Sequence, residues 1–175
     1  NVTDTQGFWN TTSKRVTVEA FDITAPVADA GPDQMVNEDT LVTFDGSNSS
    51  DNVGIINYIW TFTDVTPRTL PGVSPTYNFT NPGVFTVTLN VSDAAGNGDT
   101  DTFTMTIRDV TPPVADAGSN QTVEVKTIVT FDASGSSDNV GIVSYEWDFG
   151  DGTNGSGVTT NHSYTKPGIY TVTLK

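Results

Sequence analysis

The chain has no cysteine and one histidine, His162. Cysteine nucleophiles, thiolate metal sites and multi-histidine zinc sites are thereby excluded. A Ser-His-Asp triad would have to rest on His162 alone. Bases are scarce, with 7 Lys+Arg against 21 Asp+Glu and a net charge of −14 at pH 7. Such a surface repels phosphate backbones and anionic lipid, so nucleic acid is not an expected partner. No apolar run reaches 18 residues, the length of a membrane-crossing helix, and membrane insertion of this segment is not expected. What is abundant is threonine (30 of 175), with 13 Ser, 16 Gly and 9 Pro. β-Branched residues mixed with turn formers favour strands joined by tight turns.

The strongest feature is an internal repeat. Residues 24–62 align without a gap on residues 111–149, an offset of 87, with 25 of 39 positions identical. Beyond a two-residue slip, NPGVFTVTLN (81–90) matches KPGIYTVTLK (166–175). Two copies of a unit of about 85 residues are present, and a repeat of this kind organises everything else. Within each unit apolar residues alternate with polar ones, the signature of a half-buried strand. Ile56, Tyr58, Trp60 and Phe62 share one face, as do Val143, Tyr145, Trp147 and Phe149. Phe85, Val87, Leu89 and Val91 form another such set, and Phe103, Met105 and Ile107 a third. Pro-Gly and Asp-Gly signals fall between the runs. The expectation is an all-β fold of tandem β-sandwiches with a tryptophan anchoring each core.

The run SSDNVGIVSYEWDFGDG (136–152), followed by HSYTKPGIYTVTL (162–174), resembles the PKD domain, an Ig-like sandwich of extracellular proteins. The first copy departs from it by carrying IWTFTD where the family carries WDFGDG. The resemblance implies a tandem pair of Ig-like domains serving as a spacer or adhesion module on a prokaryotic, archaeal surface. It also implies an accessory module of a secreted hydrolase as the alternative, and no enzymatic activity of its own.

The segment is out of register with its own repeat. NVTD-QG at the start resembles NVSDAAG (90–96), and residues 14–26 resemble 102–113. Residues 1–22 therefore read as the final turn and strand of a unit, 24–109 as a complete sandwich, and 111–175 as one lacking its last strand. Val16, Val18 and Ala20 stand where Phe103, Met105 and Ile107 stand. The expectation is head-to-tail joining of copies. Val16, Val18 and Ala20 are donated to an acceptor core around Trp147, Tyr170, Val172 and Leu174, or the same string arises within a longer array.

Eight Asn-X-Ser/Thr acceptors occur, at Asn1, Asn10, Asn48, Asn78, Asn90, Asn120, Asn154 and Asn161. N-linked glycans and an extracellular or cell-surface location are expected. No cofactor is required, but hard oxygen donors recur in equivalent places. Turn capping is the expected role of these aspartates, with calcium at Asp29 and Asp51, and at Asp116 and Asp138, where the linkers enter, as the alternative. Extracellular polysaccharide is a further possible partner. Phe8 and Trp9 have no counterpart in the second copy and suit a joint between subunits. The expected function is a structural subunit of a glycosylated extracellular filament or surface layer, with a polysaccharide- or protein-binding spacer of a hydrolase or adhesin as the alternative.

Overall fold

The computed structural model describes residues 1–18 and 21–175. Among the described residues every regular element is a strand. A short N-terminal hairpin comprises β1 (Val2–Thr3) and β2 (Trp9–Asn10). The first sandwich holds β3 (Gln34–Asn37), β4 (Leu41–Thr43), β5 (Ile55–Asp64), β6 (Thr66–Pro71), β7 (Thr76–Asn78), β8 (Gly83–Asp93) and β9 (Gly98–Arg108). One sheet has the order β3-β9-β8-β5-β6 and the facing sheet is β4-β7. Only the β3–β9 pair is parallel.

The period-2 pattern sorts side chains as expected. Val87, Leu89 and Val91 of β8 and Phe103, Met105 and Ile107 of β9 are buried. They meet Phe44, Trp60, Phe62 and Phe79 in one core. Phe44 lies 5.2 Å from Trp60, ring centre to ring centre, within the range of favourable aromatic pairs. The indole of Trp60 donates to the Gly72 carbonyl at 3.1 Å, which satisfies its one polar atom. On the outer face Thr69, Thr61, Thr88 and Thr102 stand side by side across four strands, the cross-strand pairing that threonine favours.

One expectation about facing fails. Ile56 is exposed, and Ile55 packs on the core in its place. A bulge between Ile55 and Asn57 inserts a residue and reverses the alternation at the start of β5. In the second copy Val143 is likewise exposed, with Ile142 half-buried.

The second sandwich holds β10 (Val129–Asp132), β11 (Glu146–Asp148), β12 (Asn154–Ser156), β13 (Thr159–His162) and β14 (Thr173–Leu174). These repeat β4, β5, β6, β7 and β8 in sheets β12-β11-β14 and β10-β13. Trp147 is buried and donates to the Gly157 carbonyl at 3.0 Å, as its counterpart does. Residues 110–175 contain no counterpart of β9. The consequence reaches further along the chain. Residues 121–124, at the positions of β3, form no strand, because the only partner of β3 is β9. Val36 packs on the first core, while Val123 is exposed.

The IWTFTD departure has a physical signature at the β5–β6 turn. Val65 has φ 59°, where the second copy has Gly152 at φ 92°. A β-branched residue in the left-handed region carries roughly 1–2 kcal/mol of strain, and exposed Val65 gains no packing in return. Val65→Gly should therefore raise the stability of the first sandwich by about 1 kcal/mol, measured as a shift in its urea midpoint at unchanged slope.

Candidate functional site

The chemistry-bearing groups gather where one unit passes to the next. At the first junction Asp22, Asp51 and Asp93 converge, one carboxylate oxygen from each lying within 4.8 Å of the others. Each acid is aimed by its second oxygen or by its turn. Asp22 Oδ1 accepts the Thr24 amide at 3.0 Å and the Asn52 amide group at 3.3 Å. Asp51 Oδ2 accepts the amides of Val53 (2.9 Å) and Gly54 (2.7 Å). Asp93 is buried, and Asn97 donates to both its oxygens, from its amide N–H at 2.9 Å and its side chain at 2.7 Å. The Asn97 side chain, followed by backbone N–H groups of the turn, holds the Asp93 carboxyl below the usual aspartate range against the opposing effect of burial. Asp22 Oδ2 and Asp51 Oδ1 are buried with no hydrogen-bond partner.

Three acids this close repel one another, and two buried oxygens without donors add a desolvation cost. A hard divalent cation answers both, with waters completing the six to eight ligands that calcium takes. Asp51 is thus a member of the group that sequence pointed to. Asp29 is not. Its Oδ1 caps the Gly31 amide at 2.9 Å, and Asp116 caps Gly118 at 2.8 Å in the same way. Asp22 and Asp93 take the place expected of Asp29 because the ladders β5–β8 and β8–β9 bring the end of β8 beside the entering linker.

The second junction repeats two of the three acids. Asp109 Oδ1 accepts the Thr111 amide at 3.0 Å, and Asp138 Oδ1 accepts those of Val140 (2.9 Å) and Gly141 (2.7 Å). A different residue fastens it. Glu38, buried just after β3, accepts from the amides of Val110 (3.1 Å) and Thr111 (2.9 Å) and from the Thr111 hydroxyl through Oε1. Its Oε2 accepts the Asn139 side-chain amide at 2.7 Å. One carboxylate therefore holds the linker and the first loop of the next sandwich together. The Thr111 hydroxyl and the Val110 amide hold its carboxyl below the usual glutamate range, against the opposing effect of burial. Sequence reasoning missed Glu38 because the repeat offers Val125 at the same place.

The remaining predicted residues fall as follows. Trp147 is buried, with Val172 and Leu174 half-buried against it, and Leu174 pairs with Trp147 across β11–β14. Tyr170 stacks on Tyr164 at 4.1 Å. Val16 and Val18 are 72% and 89% exposed and belong to no strand; Ala20 lies outside the described residues. Of the eight acceptor asparagines, Asn1, Asn10, Asn48, Asn78, Asn120, Asn154 and Asn161 are exposed. Asn90 is half-buried on β8 and donates to the Ile59 carbonyl at 3.4 Å. His162 lies stacked on Phe149 at 4.2 Å and paired with Asp151 at 2.9 Å, at a core rim. Tyr77 occupies the same place in the first unit and donates to Asp64 at 3.0 Å.

The PKD domain model matches residues 23–107 and again residues 110–175. The chain belongs to the PKD domain family. Both sandwiches are PKD units, and the Glu38 contact joins one to the next. The chain is 36% identical over 154 residues to the mouse dyslexia-associated protein KIAA0319 homolog, an alignment covering 83% of this chain and 14% of the relative. It is 32% identical over 102 residues to the Vibrio cholerae pre-pro-metalloprotease PrtV, covering 58% of this chain and 11% of that protein. The PKD1 domain of Vibrio anguillarum Epp matches at 26% identity and a TM-score of 0.41, over 49% of this chain and 96% of that domain. The chain thus spans about one-seventh or less of the curated relatives named here.

Glu38 gives a pH dependence whose sign is fixed. A carboxyl held low in the folded state contributes fully above the ordinary glutamate range, and that contribution fades as pH falls through the lowered value. Amide exchange at Val110 and Thr111 should stay slow from neutral pH down to that range. Glu38→Ala should speed it on the order of ten-fold at neutral pH, as read by hydrogen exchange with mass spectrometry. Unchanged protection would remove Glu38 from the junction.

Proposed function

We propose that this chain is a structural section of a glycosylated extracellular filament or surface layer of a prokaryotic, archaeal cell. PKD units follow one another head to tail, and the open flank of the second is filled by a segment of the 14–22 type, from a neighbouring copy or from the next stretch of a longer array. One observation carries the reading. Residues 110–175 hold no counterpart of β9, while Val16 and Val18, in the positions of the β9 core residues, stand exposed. A strand carrying valine at both places restores a ladder for β14 and gives residues 121–124 a partner. The exposed acceptor asparagines carry glycans, and the sheets are scaffolding rather than a catalytic surface.

Burial of the two valines is worth about 3–6 kcal/mol, or roughly two to four decades of association constant. Both are exposed in the chain alone, so Val16→Asp with Val18→Asp leaves each folded unit intact. Sedimentation should show the parent chain associating end to end and the double variant weakened by that factor. Equal association of the two proteins would end the donation reading.

Calcium belongs to the same reading as a stiffener of the first junction, held by Asp22, Asp51 and Asp93. At free calcium a hundred-fold above Kd the folded state should gain about 2.7 kcal/mol. The parent chain should therefore melt higher in calcium than in chelator, and Asp51→Asn should abolish the difference. A parent melting curve indifferent to calcium would exclude the site.

The similarity to a metalloprotease supports a second reading, a binding spacer beside a catalytic domain. Retention of the isolated chain on a polysaccharide array would favour it.

A further inference from the structure

Glu38 stands in the turn from β3 to β4, and that turn is fastened to its own unit on both sides. The Glu38 amide donates to the Arg108 carbonyl at 2.9 Å, and the Asp39 amide to that of Phe79 at 2.9 Å. Asp39 lies in the left-handed region at φ 59°. The second unit repeats this turn with other side chains. Val125 takes the place of Glu38, Lys126 has φ 64°, and the Lys126 amide donates to the Tyr164 carbonyl at 2.8 Å. The turn therefore forms without a carboxylate. Burying an acid there carries a desolvation cost that the turn does not require, and the oxygens of Glu38 face the junction instead.

What those oxygens hold is itself stiff. Oε1 accepts the Val110 and Thr111 amides of the linker, and Oε2 the Asn139 side chain at 2.7 Å. Asn139 sits inside a capped turn, since Asp138 accepts the amides of Val140 and Gly141. Val114 and Ser137 exchange amide-to-carbonyl bonds of 2.8 and 3.0 Å, which ties the entering chain to the same loop. Between the Glu38 contact and this bridge lie Pro112 and Pro113, whose rings fix φ. Among the described residues, Asn139 to Glu38 is the one hydrogen bond that runs between residues 24–109 and residues 112–175. No strand of one sandwich packs on a strand of the other. Domains that share so little surface move relative to each other by default, unless something fastens them.

We propose that Glu38 is the latch of this junction: its carboxylate, bonded at once to the linker and to Asn139, sets the angle between the two PKD units, and the residue at this turn position decides whether a joint is stiff or free. With glutamate, the linker and the loop of residues 136–141 are gripped by the two oxygens of one planar group. The second unit then cannot turn about the linker without breaking a charge-assisted hydrogen bond. With valine, as at position 125, the turn stays and the grip is absent. The latch depends neither on strand donation nor on calcium, since every residue in it lies within the Glu38–Gly141 stretch and no metal ligand takes part.

The chain has no cysteine, so a spin-label pair can be introduced through Thr69→Cys on the first unit and Thr159→Cys on the second, both exposed strand positions. Pulsed electron double resonance on the full chain then reads the distance between the units. The parent should give one narrow distribution. Glu38→Val, the residue that the second copy carries in the same turn, should widen it about two-fold or more, while circular dichroism shows both units still folded. Asn139→Ala leaves Glu38 and its linker bonds in place. It should widen the distribution as well, and it carries the test alone if Glu38→Val unfolds the first unit. An unchanged narrow distribution in either folded variant, or a broad one in the parent, overturns the latch.

Discussion

The ladder between β8 and β9 is the contact on which the first unit is organised. It runs from Gly83 opposite Ile107 to Ser92 opposite Gly98, and it does several jobs at once. Its inward residues supply half of the core. Its far strand is the only partner of β3, so the sheet's edge exists because β9 does. Two acids on the core-facing side of β9, ahead of Phe103, fasten the entering chain, Asp99 accepting the Ala28 amide at 3.0 Å and Asp101 that of Ala30 at 2.8 Å. Residues 110–175 repeat the same sequence pattern as far as β14, and they keep the half of the core around Trp147 and Phe131.

Consecutive units are joined by reusing one set of positions in two ways. The SSDN loop presents an aspartate and an asparagine each time. In the first unit its Asn52 turns back to Asp22 of the linker; in the second, Asn139 reaches out to Glu38 of the preceding sandwich. The carboxylates differ accordingly. Asp51 sits in a group of three acids with unpartnered oxygens, and Glu38 is fully engaged with donors. A cation suits the first arrangement, whereas the second is complete with its own hydrogen bonds.

The parts legible in the sequence were those set by local periodicity and by the repeat. Alternation placed Trp60, Phe62, Val87, Leu89, Phe103 and Met105 inward without reference to any partner. The bulge at Ile55–Asn57 was not legible, since an inserted residue leaves no mark in a run of apolar side chains. The acids were half legible. Asp51 is conspicuous beside its turn, but choosing Asp93 over Asp29 requires knowing that the end of β8 returns to the linker, a fact of sheet register. Glu38 meets Asn139 across 101 positions, and comparing the copies hides it behind Val125.

The parallel pairing of β3 with β9 has a mechanical corollary. The chain enters the unit ahead of β3 and leaves it after β9, and because the two strands run the same way these points lie at opposite ends of the pair. Tension along a string of such units slides the strands past each other lengthwise. The bonds between Gln34–Asn37 and Met105–Arg108 then share the load simultaneously and do not open one after another like a zip. The first unit resists stretching best along the direction in which the chain threads it.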